Sequence, residues 1–180
     1  MIDGLNTSLF WKIHSLSGQN YWLDRFWVFS AETLGYLMVF VLVMLFVKNR
    51  SKYREMIVTA LISAAIARGI FVTVIRFFYE HPRPFMVFDN VKQLINHDIT
   101  SSFPSGHASF YFAFAAGVYL FNKKIGAAYL ALAGLIGFAR VVAGVHWPYD
   151  ILGGAALGFA TAVLIKFLVK KVFSWARLLF

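Results

Sequence analysis

Long apolar runs separated by short polar connections dominate the chain. The first extends from about Phe26 to Val47 and is interrupted by Glu32. A second, from about Met56 to Phe78, carries Arg68 and Arg76. A third, from Ser105 to Phe121, is somewhat short. A fourth covers about Ile125 to Val145 and holds Arg140, and a fifth extends from Ile151 to about Val169. Because about 20 mostly apolar residues cross a bilayer as a helix, the pattern predicts about five transmembrane helices. Residues 1–21 differ. Leu5, Leu9, Ile13 and Leu16 recur at roughly helical spacing beside Lys12 and His14, which predicts an amphipathic helix lying in the membrane interface. The expected fold is all-α, a polytopic membrane helical bundle forming a single domain over residues 1–180.

Composition agrees. Of 180 residues, 60% are hydrophobic, too many for an ordinary soluble domain. Seventeen Lys and Arg stand against eight Asp and Glu, a formal charge of +9. In a soluble protein that excess would suggest nucleic acid. Here the bases sit in the connections, at Lys48, Arg50, Lys52 and Arg54, at Lys123 and Lys124, and at Lys170, Lys171 and Arg177. The excess therefore reads as a topology signal, with these connections cytoplasmic, and no nucleic-acid partner is expected. The 79–104 connection and the 146–150 turn then meet on the outer face, at the start of the third run. There is no cysteine, hence no disulfide and no thiolate metal site. The N-terminus shows no basic start or small-residue cleavage site, so no processing is expected. Gly154 and Gly158, like Ala156 and Ala160, lie four apart, a spacing that lets helices approach closely.

Three polar clusters converge on that outer face. One is Arg76 followed by Arg83-Pro84, the second is Pro104-Ser105-Gly106-His107, and the third is Arg140, His146 and Asp150. Pro104 and Ser105 are helix-opening residues, and the N–H groups behind them have no intrahelical partner. Such a helix start takes anions, above all phosphate. Arginine forks match phosphate oxygens. Of two imidazoles, one can attack phosphorus and the other protonate the leaving oxygen. If the 146–150 turn is helical, Asp150 can hold one ring nitrogen of His146. Ionisable groups gathered at one face of a membrane bundle are costly to keep there, and anion handling is the role they share.

These clusters resemble the signature of the type-2 phosphatidic acid phosphatase superfamily, Lys-x6-Arg-Pro, Pro-Ser-Gly-His and Ser-Arg-x5-His-x3-Asp, matched in order over residues 76–150. The resemblance implies an all-helical membrane bundle that removes phosphate from lipid phosphates without metal or cofactor. It implies His146 as nucleophile, Asp150 as its orienting partner and His107 as general acid. Arg83 and Arg140 would hold the phosphoryl oxygens with Ser105 and the Gly106 N–H. Arg76 stands where the pattern has lysine, and Ala139 where it has serine. Upstream, residues 10–32 and the Glu-His-Pro-Arg-Pro-Phe run at 80–85 are similar to the bacitracin-resistance type of undecaprenyl-diphosphatase, although some members of that group have an acidic residue at the place of Gly106. This group implies a polyprenyl diphosphate substrate, a role in cell-wall lipid recycling, and a plasma (inner) membrane location with the site extracytoplasmic.

Glu32 and Arg68 are accessory candidates at similar depth. They either form a buried ion pair that sets helix register, or Glu32 faces the site. Within the enzyme class, a phosphatidylglycerophosphate or phosphatidate phosphatase and a lipid phosphotransferase remain alternatives. Outside it stands a non-catalytic lipid-binding or transport protein, for which the sequence shows no internal repeat.

Overall fold

A computed structural model describes residues 4–179, with side chains described through Lys171, so Arg177 lies outside the described side chains. Among the described residues the regular elements are all helical. They are α1 (Gly4–His14), α2 (Tyr21–Glu32), α3 (Leu34–Lys48), α4 (Arg50–Ile66), a π-helical turn (Ala67–Val72), α5 (Thr73–Phe78), the short α6 (Pro84–Val87), α7 (Gly106–Tyr119), α8 (Lys123–Val142) and α9 (Pro148–Leu179). Asn20, Asn49, Ser105 and Asn122 cap α2, α4, α7 and α8, each accepting from an N–H three residues on. Such caps satisfy donors that a helix start leaves open.

The helix α7 forms the axis of the bundle, packed against α9, α8 and α4. Its run of Ala and Gly admits these neighbours closely. A Cβ at Gly158 of α9 would fall 2.6 Å from the Ser109 carbonyl oxygen, and one at Gly154 would fall 2.8 Å from that of Ser105. The small-residue spacing in α9 is thus the α7–α9 contact, while Ala156 and Ala160 face outward. Large apolar side chains on the other faces of α3 and α9, such as Phe40, Phe159 and Phe167, are exposed. That is the surface a lipid-embedded bundle presents.

The expected membrane bundle is present, and the count of spans is met in part. Three helical stretches are long and apolar enough to cross a membrane: Arg50–Phe78, Lys123–Val142 and Pro148–Lys171. A fourth arises if α2 and α3, bent by 49° at Thr33, act as one. The chain is a membrane-embedded helical bundle with three to four such spans. The third apolar run forms α7, whose 14 residues reach about 21 Å at 1.5 Å per residue, short against roughly 30 Å of hydrocarbon. Its apolar character serves burial among helices. The first run is likewise two helices, broken beside Glu32.

The expected N-terminal helix forms over Gly4–His14, and its other face docks on the bundle. Leu5 and Leu9 are exposed at 58% and 36%, whereas Asn6, Phe10 and His14 are buried. α1 docks on α8 and α9. Asn6 Oδ1 accepts from the Tyr149 N–H at 3.1 Å, His14 Nδ1 lies 2.9 Å from the Val142 carbonyl, and Phe10 packs on Trp147 with ring centroids 5.1 Å apart. The helix covers the polar end of the bundle, where an Asn or His finds partners and a Leu does not.

Candidate active site

The turn leaving α8 builds the centre. Gly144 takes φ +80°, a left-handed conformation that favours glycine. This reverses the chain into His146, which is buried. α9 begins at Pro148, so Asp150 lies in its first turn, one helical step beyond His146. Asp150 Oδ2 accepts from the Trp147 N–H at 2.8 Å and lies 3.2 Å from His146 Nδ1. A carboxylate there assigns the ring proton to Nδ1 and leaves Nε2 as a lone pair. Burial, then the guanidiniums of Arg140 and Arg83, hold the His146 pKa well below the ordinary histidine value. The imidazole stays neutral, as a nucleophile must.

Arg83 reaches the centre from the 79–105 connection, where Pro84 opens α6. Its Nη1 donates to the Val145 carbonyl at 2.8 Å and approaches His146 Nε2 at 3.3 Å. Nε donates to the Thr100 carbonyl at 3.0 Å, and Nη2 to Thr100 Oγ1 and the Ser101 carbonyl, each at 3.2 Å. With five N–H groups, this arginine is fully engaged. Three bonds brace the connection internally, one ties it to the turn at Val145, and one addresses the nucleophilic nitrogen. Burial, then Arg76, lower its pKa to about 10.

The other arginines are less committed. Arg76 Nη2 donates to the Pro104 carbonyl at 2.8 Å, and its Nε lacks a partner. Arg140, 2% exposed, has an unpartnered Nε and one long bond, 3.5 Å, to the Ala31 carbonyl. Arg68 projects from the π-helical turn, a departure from α geometry common at functional sites. Ser105 donates its N–H to the Asp150 carbonyl at 3.0 Å and caps α7. The Gly106 and His107 N–H groups therefore sit at the open helix start beside the centre.

Two cavities meet there. One of about 230 Å³ is lined by His146, His107, Gly106, Arg76, Arg68 and His97, among others. A larger one of about 730 Å³ is lined by Arg140, Glu32, Tyr36 and Asp98, and again by Arg68, His97 and His107. Of the signature residues, Arg76, Gly106, His107, Arg140 and His146 line these cavities, and Arg83, Ser105 and Asp150 hold the walls. The expectation of a Glu32–Arg68 ion pair is not met. No such pair forms among the described residues, and both side chains are exposed to the larger cavity. The bend at Thr33 turns Glu32 toward it, which avoids a carboxylate in hydrocarbon.

Two histidines join the site from outside the signature. His97 has its ring centroid 6.0 Å from that of His146, and burial, then Arg83 and Arg140, lower its pKa to about 4. His81 Nδ1 lies 2.9 Å from Ser102 Oγ and 3.7 Å from Asp150 Oδ1, on the far side of the carboxylate from His146. His97 stands in an irregular connection with no spacing relation to any cluster, so no local signal marks it. His81 had one, its place two residues before Arg83. Among the described residues, no three His, Asp or Glu side chains are grouped as metal ligands. Positive charge in the site comes from arginine.

Such a site in a membrane helical bundle defines a phosphate-handling membrane enzyme. The chain belongs to the PAP2 superfamily, whose family model matches residues 57–174. It is 32% identical to a protein of Bacillus licheniformis called bacitracin transport permease protein BcrC, over 93% of this chain and 82% of that one. It is 31% identical to the undecaprenyl-diphosphatase BcrC of Bacillus subtilis, over 91% and 82%. The crystal structure of Aquifex aeolicus LpxE superimposes with a TM-score of 0.76 at 30% identity, covering 91% of this chain and 96% of that one.

Proposed function

We propose that the protein removes the terminal phosphate of a polyprenyl diphosphate, undecaprenyl diphosphate in particular, through a phosphohistidine. The observation that carries this is His146. Its Nδ1 is held by Asp150, and its Nε2 stands beside an Arg83 donor at the edge of a cavity that also holds His107. Nε2 attacks the terminal phosphorus in line. The N–P bond forms as the P–O bond to the leaving group breaks, and the departing oxygen takes the electron pair, with a proton from His107. Arg76, Arg140 and the Gly106 N–H meet the charge on the equatorial oxygens, and Arg83 turns its one free-facing donor from Nε2 to the phosphoryl group. Fixed positive groups of this kind stabilise the spread charge of phosphoryl transfer. Water, losing a proton to His107, then breaks the N–P bond and frees phosphate.

The two BcrC relatives carry different names at nearly equal identity, one a permease and one a diphosphatase. Names therefore do not decide between transport and hydrolysis, and the arrangement of the site favours hydrolysis. A carrier needs no buried imidazole oriented by a carboxylate. The experiment is phosphate release from undecaprenyl diphosphate, phosphatidylglycerophosphate and phosphatidate side by side in detergent, with His146→Ala as control. Release undiminished in His146→Ala would sink the catalytic assignment, and preference for a glycerolipid would redirect the substrate.

We place the site on the extracytoplasmic side of the plasma (inner) membrane. Lys48, Arg50, Lys123 and Lys124 lie at the helix ends remote from it, and Lys166 bonds the Leu120 carbonyl at that same end. Basic connections stay cytoplasmic. With no native cysteine, a single Asn90→Cys in intact cells should react with an impermeant maleimide. Labelling only after lysis would reverse the orientation.

A further inference from the structure

The two cavities share three residues, Arg68, His97 and His107. The smaller one contains no carboxylate, and Glu32 and Asp98 line only the larger. The junction between them is therefore built of one guanidinium and two imidazoles. Among the described residues Arg68 makes no hydrogen bond or ion pair, and its side chain faces both cavities. Arg140, buried beside it on the larger cavity, keeps an unpartnered Nε. A buried cationic donor without an acceptor is expensive, and the orphaned Nε of Arg140 beside the unpaired, cavity-facing guanidinium of Arg68 makes this junction an anion-accepting one.

The direction of the reaction says which anion. With His146 in the small cavity and the attack in line, the leaving group lies opposite Nε2. His107, the acid that serves it, lines both cavities. Whatever leaves is therefore delivered into the junction. We propose that Arg68 and His97 form a second anion subsite that binds the inner phosphate of a diphosphate substrate, so that the enzyme selects prenyl diphosphates over prenyl monophosphates. This rests on the diphosphatase reading above and deepens it. In the reaction, Nε2 bonds to the outer phosphorus, the bridging P–O bond breaks, and the inner phosphate leaves with the electron pair. It departs still attached to its prenyl chain, as a monophosphate held by Arg68. The chain lies in the larger cavity, along Tyr36 and Ile95. His97 stays neutral under its arginine neighbours and contributes as a ring N–H donor or dipole.

The test uses one tail and two headgroups, farnesyl diphosphate and farnesyl monophosphate, on the full-length protein in detergent. Losing a charge-assisted contact of about 1.5–3 kcal/mol corresponds to roughly 10- to 100-fold. Arg68→Met should lower kcat/KM on the diphosphate by at least about tenfold more than on the monophosphate, with a smaller shift of the same sign in His97→Gln. Inorganic diphosphate should inhibit the wild type more strongly than inorganic phosphate, and Arg68→Met should narrow that gap. These ratios do not depend on the folded fraction. If Arg68→Met is inactive on both substrates, Arg68→Lys decides by the same ratio. Equal losses on both substrates would overturn the subsite and leave the phosphatase reading intact. A wild type that turns over the monophosphate and not the diphosphate would overturn the diphosphatase reading itself.

Discussion

Arg83 Nη1 stands 3.3 Å from Nε2 of His146, while the same guanidinium ties Thr100, Ser101 and Val145 together. One side chain thus couples the integrity of the connection to the nucleophile. Arg83→Lys keeps the charge but offers three donors on a single nitrogen where a five-donor planar fork is needed. Each buried acceptor left without a donor costs about 1–3 kcal/mol. The variant should lose both thermal stability and turnover, kcat by about 100-fold or more. A thermal melt in detergent beside the kinetics checks this. Normal stability with low kcat would reduce Arg83 to a phosphate ligand alone.

Asp150→Asn should preserve the fold and remove most activity. The amide still accepts from the Trp147 N–H, but it cannot stabilise the imidazolium-like transition state or enforce the Nδ1 proton. Where a carboxylate orients a catalytic histidine elsewhere, the same change costs on the order of 10⁴ in kcat. Single-turnover trapping of phosphohistidine in an alkaline denaturing quench, which preserves the acid-labile N–P bond, should fall in parallel. Retained burst amplitude would place Asp150 outside the phosphorylation step.

Much of this centre is legible in sequence because it is local. His146 and Asp150 are one helical step apart, and Ser105, Gly106 and His107 are consecutive. Their geometry follows once a helix starts where Pro104-Ser105 or Pro148 says it does. The parts that escape are those set by long-range packing. His97 enters through an irregular connection whose path depends on the Leu94 N–H bonding the Ala143 carbonyl at 3.2 Å. The break at Thr33 is invisible to hydropathy, since apolar residues continue on both sides. In α1, periodicity found an apolar stripe, but a polar docking surface selected the Asn6, Phe10 and His14 face. Hydropathy also did not reveal that α7 is surrounded by other helices, since burial in protein and burial in lipid leave the same apolar pattern.

His97 makes stability depend on acid. Its folded pKa, about 4, lies below the ordinary 6.5, so between these values the unfolded chain binds the proton and the native protein does not. The stabilisation from this group is whole above about pH 6.5, erodes as pH falls toward 4, and levels off below. His97→Gln should flatten that part of the Tm–pH curve while leaving the neutral side little changed. His146, depressed for the same reasons, should place the acid limb of kcat/KM below pH 6.5 in the free enzyme. An unchanged Tm–pH slope in His97→Gln would show that other groups carry the acid sensitivity.

The α7–α9 contact predicts a steric sensitivity at a position remote from the chemistry. A Cβ at Gly158 would lie 2.6 Å from the Ser109 carbonyl oxygen and 2.7 Å from the Ala113 nitrogen, both backbone atoms. Backbone cannot rotate aside, so Gly158→Val must separate the helices, and overpacking of this kind costs about 1–3 kcal/mol. Ala160→Val, on the outward face, should be neutral. The pair compared by melting temperature isolates the contact from β-branching in a helix.

The role of His107 can be read from the leaving group. A prenyl monophosphate leaves as a stabilised anion, whereas an alcohol leaves as an alkoxide unless it is protonated as the bond breaks. General-acid help is worth about 10²–10⁴, more where the leaving group is poorer. His107→Ala should therefore depress turnover of farnesyl monophosphate by a larger factor than turnover of farnesyl diphosphate. His146→Ala, which removes the nucleophile, should abolish both alike. The contrast separates the two histidines without any assumption about affinity, because kcat is compared within each substrate. If His107→Ala lowered both by the same factor, the ring would be acting on a step common to both substrates, such as activating water for release of the phosphohistidine, and proton donation to the leaving oxygen would have to be withdrawn.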